Sequence, residues 1–242
     1  MEGAKGSSSG RPRAVARLRL TKTGHARFMS HLDLIRTVER AIRRAGLPVA
    51  LTEGFHPHPR MSFSPALPVG VESECEIVDV DLRASPGADD VARSLEGVLP
   101  PGIDLVSCVM LPPGGPAPDS VVRAASYEVD FRLDDIGGGP EAIEGAIRGL
   151  VQADTVLVSR VTPKGVRELN LRPLVYDLRL EPGDGVACVY MLVAAGRGGH
   201  ARPHDVARAI AMRAGLPPEA RPARIARKEL YVERDGRLYP LS

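Results

Sequence analysis

Between Gly54 and Gly70 the chain reads GFHPHPRMSFSPALPVG. These seventeen residues hold two of its six histidines, two of its four phenylalanines, an arginine, two serines and four prolines. Imidazole, guanidinium and hydroxyl groups so close together permit three chemistries: a metal clip, a nucleophile with its base, or a rigid surface for a polyanion. As a metal clip, His56 and His58 would project from one side of an extended segment, with His25 or His31 as third ligand. No cysteine lies near and no carboxylate is spaced to complete the set, so no metal site is assigned.

For nucleophilic catalysis, Ser30, Ser62 and Ser64 lie close in sequence to His31, His56 and His58, without a GxSxG elbow. Metal-independent RNA cleavage needs only a histidine base and a cation for the phosphate, which His25, His31, His56 and Arg60 can supply. His31 and His58 are the candidate catalytic residues. For a polyanion, Arg36, Arg40, Arg43 and Arg44 line a helical stretch just before the loop. Lys22, Arg27 and His31 precede or begin that stretch, and His56, His58 and Arg60 follow it. Arginine forks suit phosphates, and within the helical stretch only Asp33 and Glu39 interrupt the positive charge. A solvated helix face with ordinary arginines is the competing reading. Further along, Lys164, Arg167 and Arg172 form a basic hairpin tip and strand end, and Arg202 stands at a helix start that offers amides to an anion.

The charge is unevenly placed. Net charge is +2, yet residues 1–60 hold twelve Lys/Arg against four Asp/Glu, and residues 61–119 hold two against ten. A chain nearly neutral in total can therefore carry a positive patch. With 43% hydrophobic and 26% charged residues the composition is that of an ordinary globular protein. No run of about 18 apolar residues is present, so no membrane span is expected and the chain is read as cytoplasmic. The opening MEGAKGSSSGRPRAVA is read as a disordered tail and not as a signal peptide, because it lacks an apolar core. Cys75, Cys108 and Cys188 are isolated in strand-like runs and read as buried free thiols; no cofactor is assigned. With no Trp and 4% aromatic residues, the composition weighs against binding single strands by stacking.

The elements that must position these groups follow from periodicity. Val15–Lys22 alternates as a strand, and 26–29 is read as extended chain. Ser30 can cap a helix, with apolar positions Leu32, Ile35, Val38, Ile42 and Ala45 and a stop at Gly46-Leu-Pro48. Strands are expected over 49–52, 74–82 and 103–110, and a helix over 89–99, giving βαββαβ. After a Pro/Gly-rich linker come strands at 127–133, 155–162, 169–180, 186–194 and 224–232, with helices at 140–152 and 202–214. The expected fold is α+β, two tandem ferredoxin-like domains over residues 14–111 and 123–242, with a tail at 1–13 and a linker at 112–122. In that arrangement the prolines stiffen the loop, Phe55 and Phe63 anchor it to the core, and His58 and Arg60 stand beside the arginine helix.

The block KTGHARFMSHLDLIRTVERAIRRAGLPVALTEGFHPHPRMSFSPALPVGVES, with the later KGVRELNLRPLV and GGHARP, resembles a bacterial family of unknown function described as radical-SAM-linked. Its members commonly carry Asn where His56 stands, which favours His58 and Arg60 as functional residues. The resemblance implies a cobalamin-binding radical SAM protein as partner, and a setting near RNA processing and ribosomal proteins. This chain has no cluster-binding cysteine motif, so the expectation is an accessory protein that binds RNA, or the RNA-bound enzyme, through its basic face. Two alternatives stay open. One is a metal-independent endoribonuclease like the RAMP-type nucleases, similar at the level of fold. The other is a protein-binding adaptor without RNA contact.

Overall fold

Alternation of apolar and basic residues makes Ala14–Lys22 a strand, β1, whose Ala16, Leu18 and Leu20 enter the core. The computed structural model describes residues 11–136, 139–162, 165–181, 185–217 and 220–241. The chain is α+β, with mostly antiparallel strands and, among the described residues, five α-helices. It divides into two units, one up to Val121 and the other Val122–Leu241.

In the first unit β1 leads through a 3-10 turn, Gly24–Phe28, into α1, His31–Arg44. Then come β2, Met61–Phe63; β3, Glu72–Leu82; α2, Ala88–Leu95; β4, Leu105–Leu111; and the short α3, Pro118–Val121. β1 and β2 both pair antiparallel with Val78–Val80 of β3, so they occupy its two edges. β4 adds antiparallel to the far edge of β1, giving the order β4-β1-β3-β2. One core joins Leu18 and Leu20 of β1, Val78 and Val80 of β3, Leu34, Val38 and Ile42 of α1, and Val91 and Leu95 of α2.

The helix α1 forms where its capping signals place it, but on a different stripe. Leu34, Val38, Ala41 and Ile42 are buried, while Leu32 is 63% exposed. The sequence offers two overlapping apolar stripes, and the sheet takes the one at i, i+4, i+7, i+8. Residues 26–29 are not extended: Gly24, at φ +55°, starts the 3-10 turn. The strand expected at 49–52 is reduced to two isolated bridges, Val49 with Leu82 and Leu51 with Pro59. Prolines 48, 57 and 59 cannot donate to a ladder, so regular pairing with β3 waits until Met61. Thr52 closes the intervening strap, its N–H donating to the His58 carbonyl at 2.8 Å and its Oγ1 accepting from the His58 N–H at 3.0 Å.

The second unit runs β5, Val122–Arg132; α4, Gly139–Gln152; β6, Leu157–Thr162; β7, Gly165–Asn170; β8, Val175–Glu181; and β9, Val186–Ala194. It ends with α5, Pro203–Arg213; β10, Arg224–Arg234; and β11, Arg237–Pro240. β10, β5, β9 and β8 pair antiparallel in that order, β11 adds to β10, and β6–β7 form a separate hairpin. The single strand expected over 169–180 is broken by a 3-10 turn at Arg172–Leu174. Asn170 makes the break: its Oδ1 accepts from the N–H groups of Val156 at 2.9 Å and Arg172 at 3.1 Å, and Pro173 has no N–H to offer a ladder. β11 was not expected; Asp235 and Gly236, at φ +50° and +72°, form the tight turn that folds it back.

Candidate functional site

Ser30 fixes the start of α1. Its Oγ accepts from the Asp33 N–H at 3.2 Å and donates to Asp33 Oδ2 at 2.6 Å. That hydroxyl bond is the main reason the Asp33 carboxyl sits below its usual range, with Arg36 and Arg40 adding to it. The chain entering this cap must cross the helix start, and two anchors set its path. Thr23 donates through its N–H to the Gly102 carbonyl at 2.8 Å. Glu72, buried on β3, accepts from the Gly24 N–H and from Arg27 Nη1, both at 3.2 Å.

Between this turn and α1 lies an open cleft of about 510 Å³. The turn contributes His25, Phe28 and Met29, and the helix contributes Asp33, Arg36, Thr37 and Arg40. Phe28 is 56% exposed, with the Arg27 guanidinium 4.8 Å from its ring centroid. Arg36 Nη1 lies 3.7 Å from Asp33 Oδ1, and Arg40 Nη2 donates to Thr37 Oγ1 at 3.2 Å. The cleft thus joins two guanidinium groups, an exposed imidazole and an exposed ring. Phe28, Met29 and Thr37 carried no signal of their own in the sequence. Their position was deducible only by noting that residues just before a helix cap must run across that helix's first turn.

The other flank of α1 holds a second group. Glu39 Oε1 accepts from Arg43 Nη2 at 2.7 Å and lies 3.1 Å from His58 Nδ1. Arg44 is exposed and makes no ion pair among the described residues. His31 packs edge-on to Phe63, with centroids 5.6 Å apart, and Phe63 lies against the core. Phe55 anchors nothing: it is fully exposed at the strap tip, and its neighbour His56 is exposed as well.

Two residues expected on the basic face lie elsewhere. Lys22 is buried, 3% exposed at the end of β1. Arg60 pairs with Asp81 at 3.1 Å. Asp81 alternates with Val80 and Leu82, which enter the core, so Arg60 turns to the sheet face opposite α1. Burial holds the Asp81 carboxyl above its usual range, Asp79 adds to the rise, and Arg60 opposes it. On the same face Arg17 and Asp79 form a two-pronged pair at 2.7 and 2.9 Å.

In the second unit Lys164 lies outside the described residues. Arg167 is exposed on β7, opposite Arg160. Arg172 is a structural clamp, its guanidinium donating to the carbonyls of Val151 and Val175 at 3.0 Å each. Arg202 is the N-cap residue of α5 and is exposed. The residue that organises this end is Arg160: its Nε pairs with Asp205 at 2.6 Å and its Nη2 donates to the His200 carbonyl at 3.1 Å. His200 is half-buried and His204 exposed, and for both the partial loss of water around the ring is the main cause that lowers them below the usual histidine value.

Among the described residues no three His, Cys, Asp or Glu side chains gather into a set that could hold a metal ion. The cysteines are free; Cys75 is buried, whereas Cys108 and Cys188 are only half-buried. Burial, with a hydrogen bond to Asp130, pushes the Cys188 thiol up to about 12. Among the described residues no helix is long and apolar enough to cross a membrane.

Residues 16–203 match the model of a family described as "Uncharacterized protein conserved in bacteria (DUF2344)". No curated protein matches the chain. Among solved structures, a chain of the "Crystal Structure of a Cbf5-Nop10-Gar1 Complex" aligns at 11% identity with a TM-score of 0.49, over 89% of this chain and 48% of that one. This chain therefore spans about half the length of the chain it aligns with.

Proposed function

The chain belongs to the bacterial DUF2344 family, and we propose that it binds RNA through the cleft beside α1, as an accessory to a radical SAM enzyme. The observation that carries the reading is the pairing of Arg36 and Arg40 with the exposed Phe28 and His25 in one open cleft. Guanidinium groups suit phosphate oxygens, and the ring and imidazole suit bases. The cobalamin-binding radical SAM partner rests on the resemblance of the Lys22–Ser73 block, and a cytoplasmic setting for this chain is part of the same proposal. Each unit is read as ferredoxin-like. The order β4-β1-β3-β2 in the first, and the corresponding order β10-β5-β9-β8 in the second with β6–β7 as an insertion, support that fold.

A second reading has its own observation. The 3.1 Å contact of His58 Nδ1 with Glu39 resembles the carboxylate–imidazole pairing that orients a general base, which favours a metal-independent endoribonuclease. One experiment separates the two: RNA binding by the full chain across a salt series, with metal chelated and the RNA run on a gel. Affinity that falls with salt on intact RNA supports the accessory reading. Cleaved RNA supports the nuclease, and no binding above background removes both in favour of a protein-binding adaptor.

A further inference from the structure

We infer that the cleft takes an unpaired nucleotide, its base laid on the Phe28 ring and its phosphate at Arg36 and Arg40. This rests on the RNA-binding reading and goes further, because it names the part of the nucleic acid that is recognised.

The volume fits. Small-molecule sites occupy roughly 300–1,000 Å³, and this cleft measures about 510 Å³. The chemistry also divides along it. Phe28, Met29 and His25 come from the turn, and Arg36 and Arg40 from successive turns of α1. Asp33, the one acid in the lining, is engaged by Ser30 and lies 3.7 Å from Arg36, so its charge is partly offset.

The ring itself is set up for stacking. Arg27 covers Phe28 at 4.8 Å and is held from behind by Glu72 at 3.2 Å. Phe28 lines the cleft and Arg27 does not. A base entering the cleft would complete a guanidinium–ring–base stack, favourable for any base because each has a π-face. The scarcity of aromatic residues argues against a continuous stacking platform along many nucleotides. It does not argue against one ring placed beside two arginines. A duplex keeps its bases stacked on each other and can offer such a ring only phosphates and sugar edges.

The test compares a single-stranded RNA, the same sequence in a duplex, and the single strand with abasic positions, each against the full-length protein by fluorescence anisotropy. Phe28→Ala is expected to lose about tenfold in affinity for the single strand, little for the duplex, and to leave the salt slope unchanged. Phe28→Tyr is expected to retain the single-strand affinity, and the abasic strand to bind the unaltered protein as weakly as the intact strand binds Phe28→Ala. Circular dichroism confirms that the variants fold, as expected for a ring already 56% exposed. If Phe28→Ala weakens single strand and duplex alike, or neither, the inference is overturned while RNA binding stands. If the unaltered protein binds none of the three RNAs, the RNA-binding reading itself fails.

Discussion

Thr23 and Gly102 hold each other by the backbone. The Thr23 N–H donates to the Gly102 carbonyl at 2.8 Å, and a Cβ at Gly102 would stand 2.5 Å from the Thr23 carbonyl oxygen. Gly102 also sits at φ +85°, a conformation that side chains disfavour. The turn that carries His25 and Phe28 into the cleft starts at this contact. Gly102→Ala is therefore expected to cost about 2 kcal/mol in urea unfolding and to weaken RNA binding at a distance from any ligand contact. Unchanged affinity in a folded Gly102→Ala variant would show that the turn does not position the site.

Arg36 and Arg40 are one helical turn apart and both line the cleft. If each neutralises a phosphate of a single strand, the double Arg36→Ala, Arg40→Ala variant should lower the slope of log K against log salt by about 1.4, at about 0.7 per contact. Arg60→Ala is the control. Arg60 lies on the opposite sheet face against Asp81, so its loss should leave the slope unaltered. A slope that drops equally with Arg60→Ala would place the polyanion surface elsewhere.

What the sequence revealed of this site was its helix and its charge, not its shape. Ser30, Asp33 and Gly46-Leu-Pro48 mark α1 because capping chemistry is local. Which arginines share a surface is not local. Arg60 is two residues from His58, where a regular strand would put both on one side, yet outside any strand Arg60 meets Asp81 and His58 meets Glu39. Lys22 and Arg172 count as positive charge in any tally, but one is buried and the other clamps backbone carbonyls. Phe55 and Phe63 look alike in the loop; only Phe63 falls on a residue paired with core-facing Val78, so only it is drawn inward. The strand order of each unit likewise depends on long-range pairing that periodicity does not encode.

The His58–Glu39 pair decides between the two functional readings. His58 is 61% exposed on its side chain, and Glu39 is already engaged by Arg43. An exposed pair of this kind contributes at most about 1 kcal/mol. His58→Ala is expected to stay within that limit in stability, and within about fivefold in RNA affinity. If the unaltered protein cleaves RNA, the same variant and Glu39→Gln separate the roles. Turnover lost with His58 and reduced with Glu39, at unchanged binding, identifies a general base held by its carboxylate. Turnover that survives His58→Ala removes this pair from the chemistry.

His200 and His204 make the second unit sensitive to acid. Burial is the largest cause lowering each, and Arg160 and Arg202 beside His200 oppose protonation further, while Asp205 partly offsets both. A histidine whose folded value lies below 6.5 leaves the unfolded chain to take up the proton first. The stability these groups contribute is therefore complete above 6.5, and is lost as pH falls through 6.5 toward the folded values. Thermal unfolding is expected to be flat from about pH 8 to 7 and to shift to lower temperature by about pH 5.5. The double His200→Gln, His204→Gln variant should flatten that fall. An equal loss in the variant would assign the acid sensitivity to other groups.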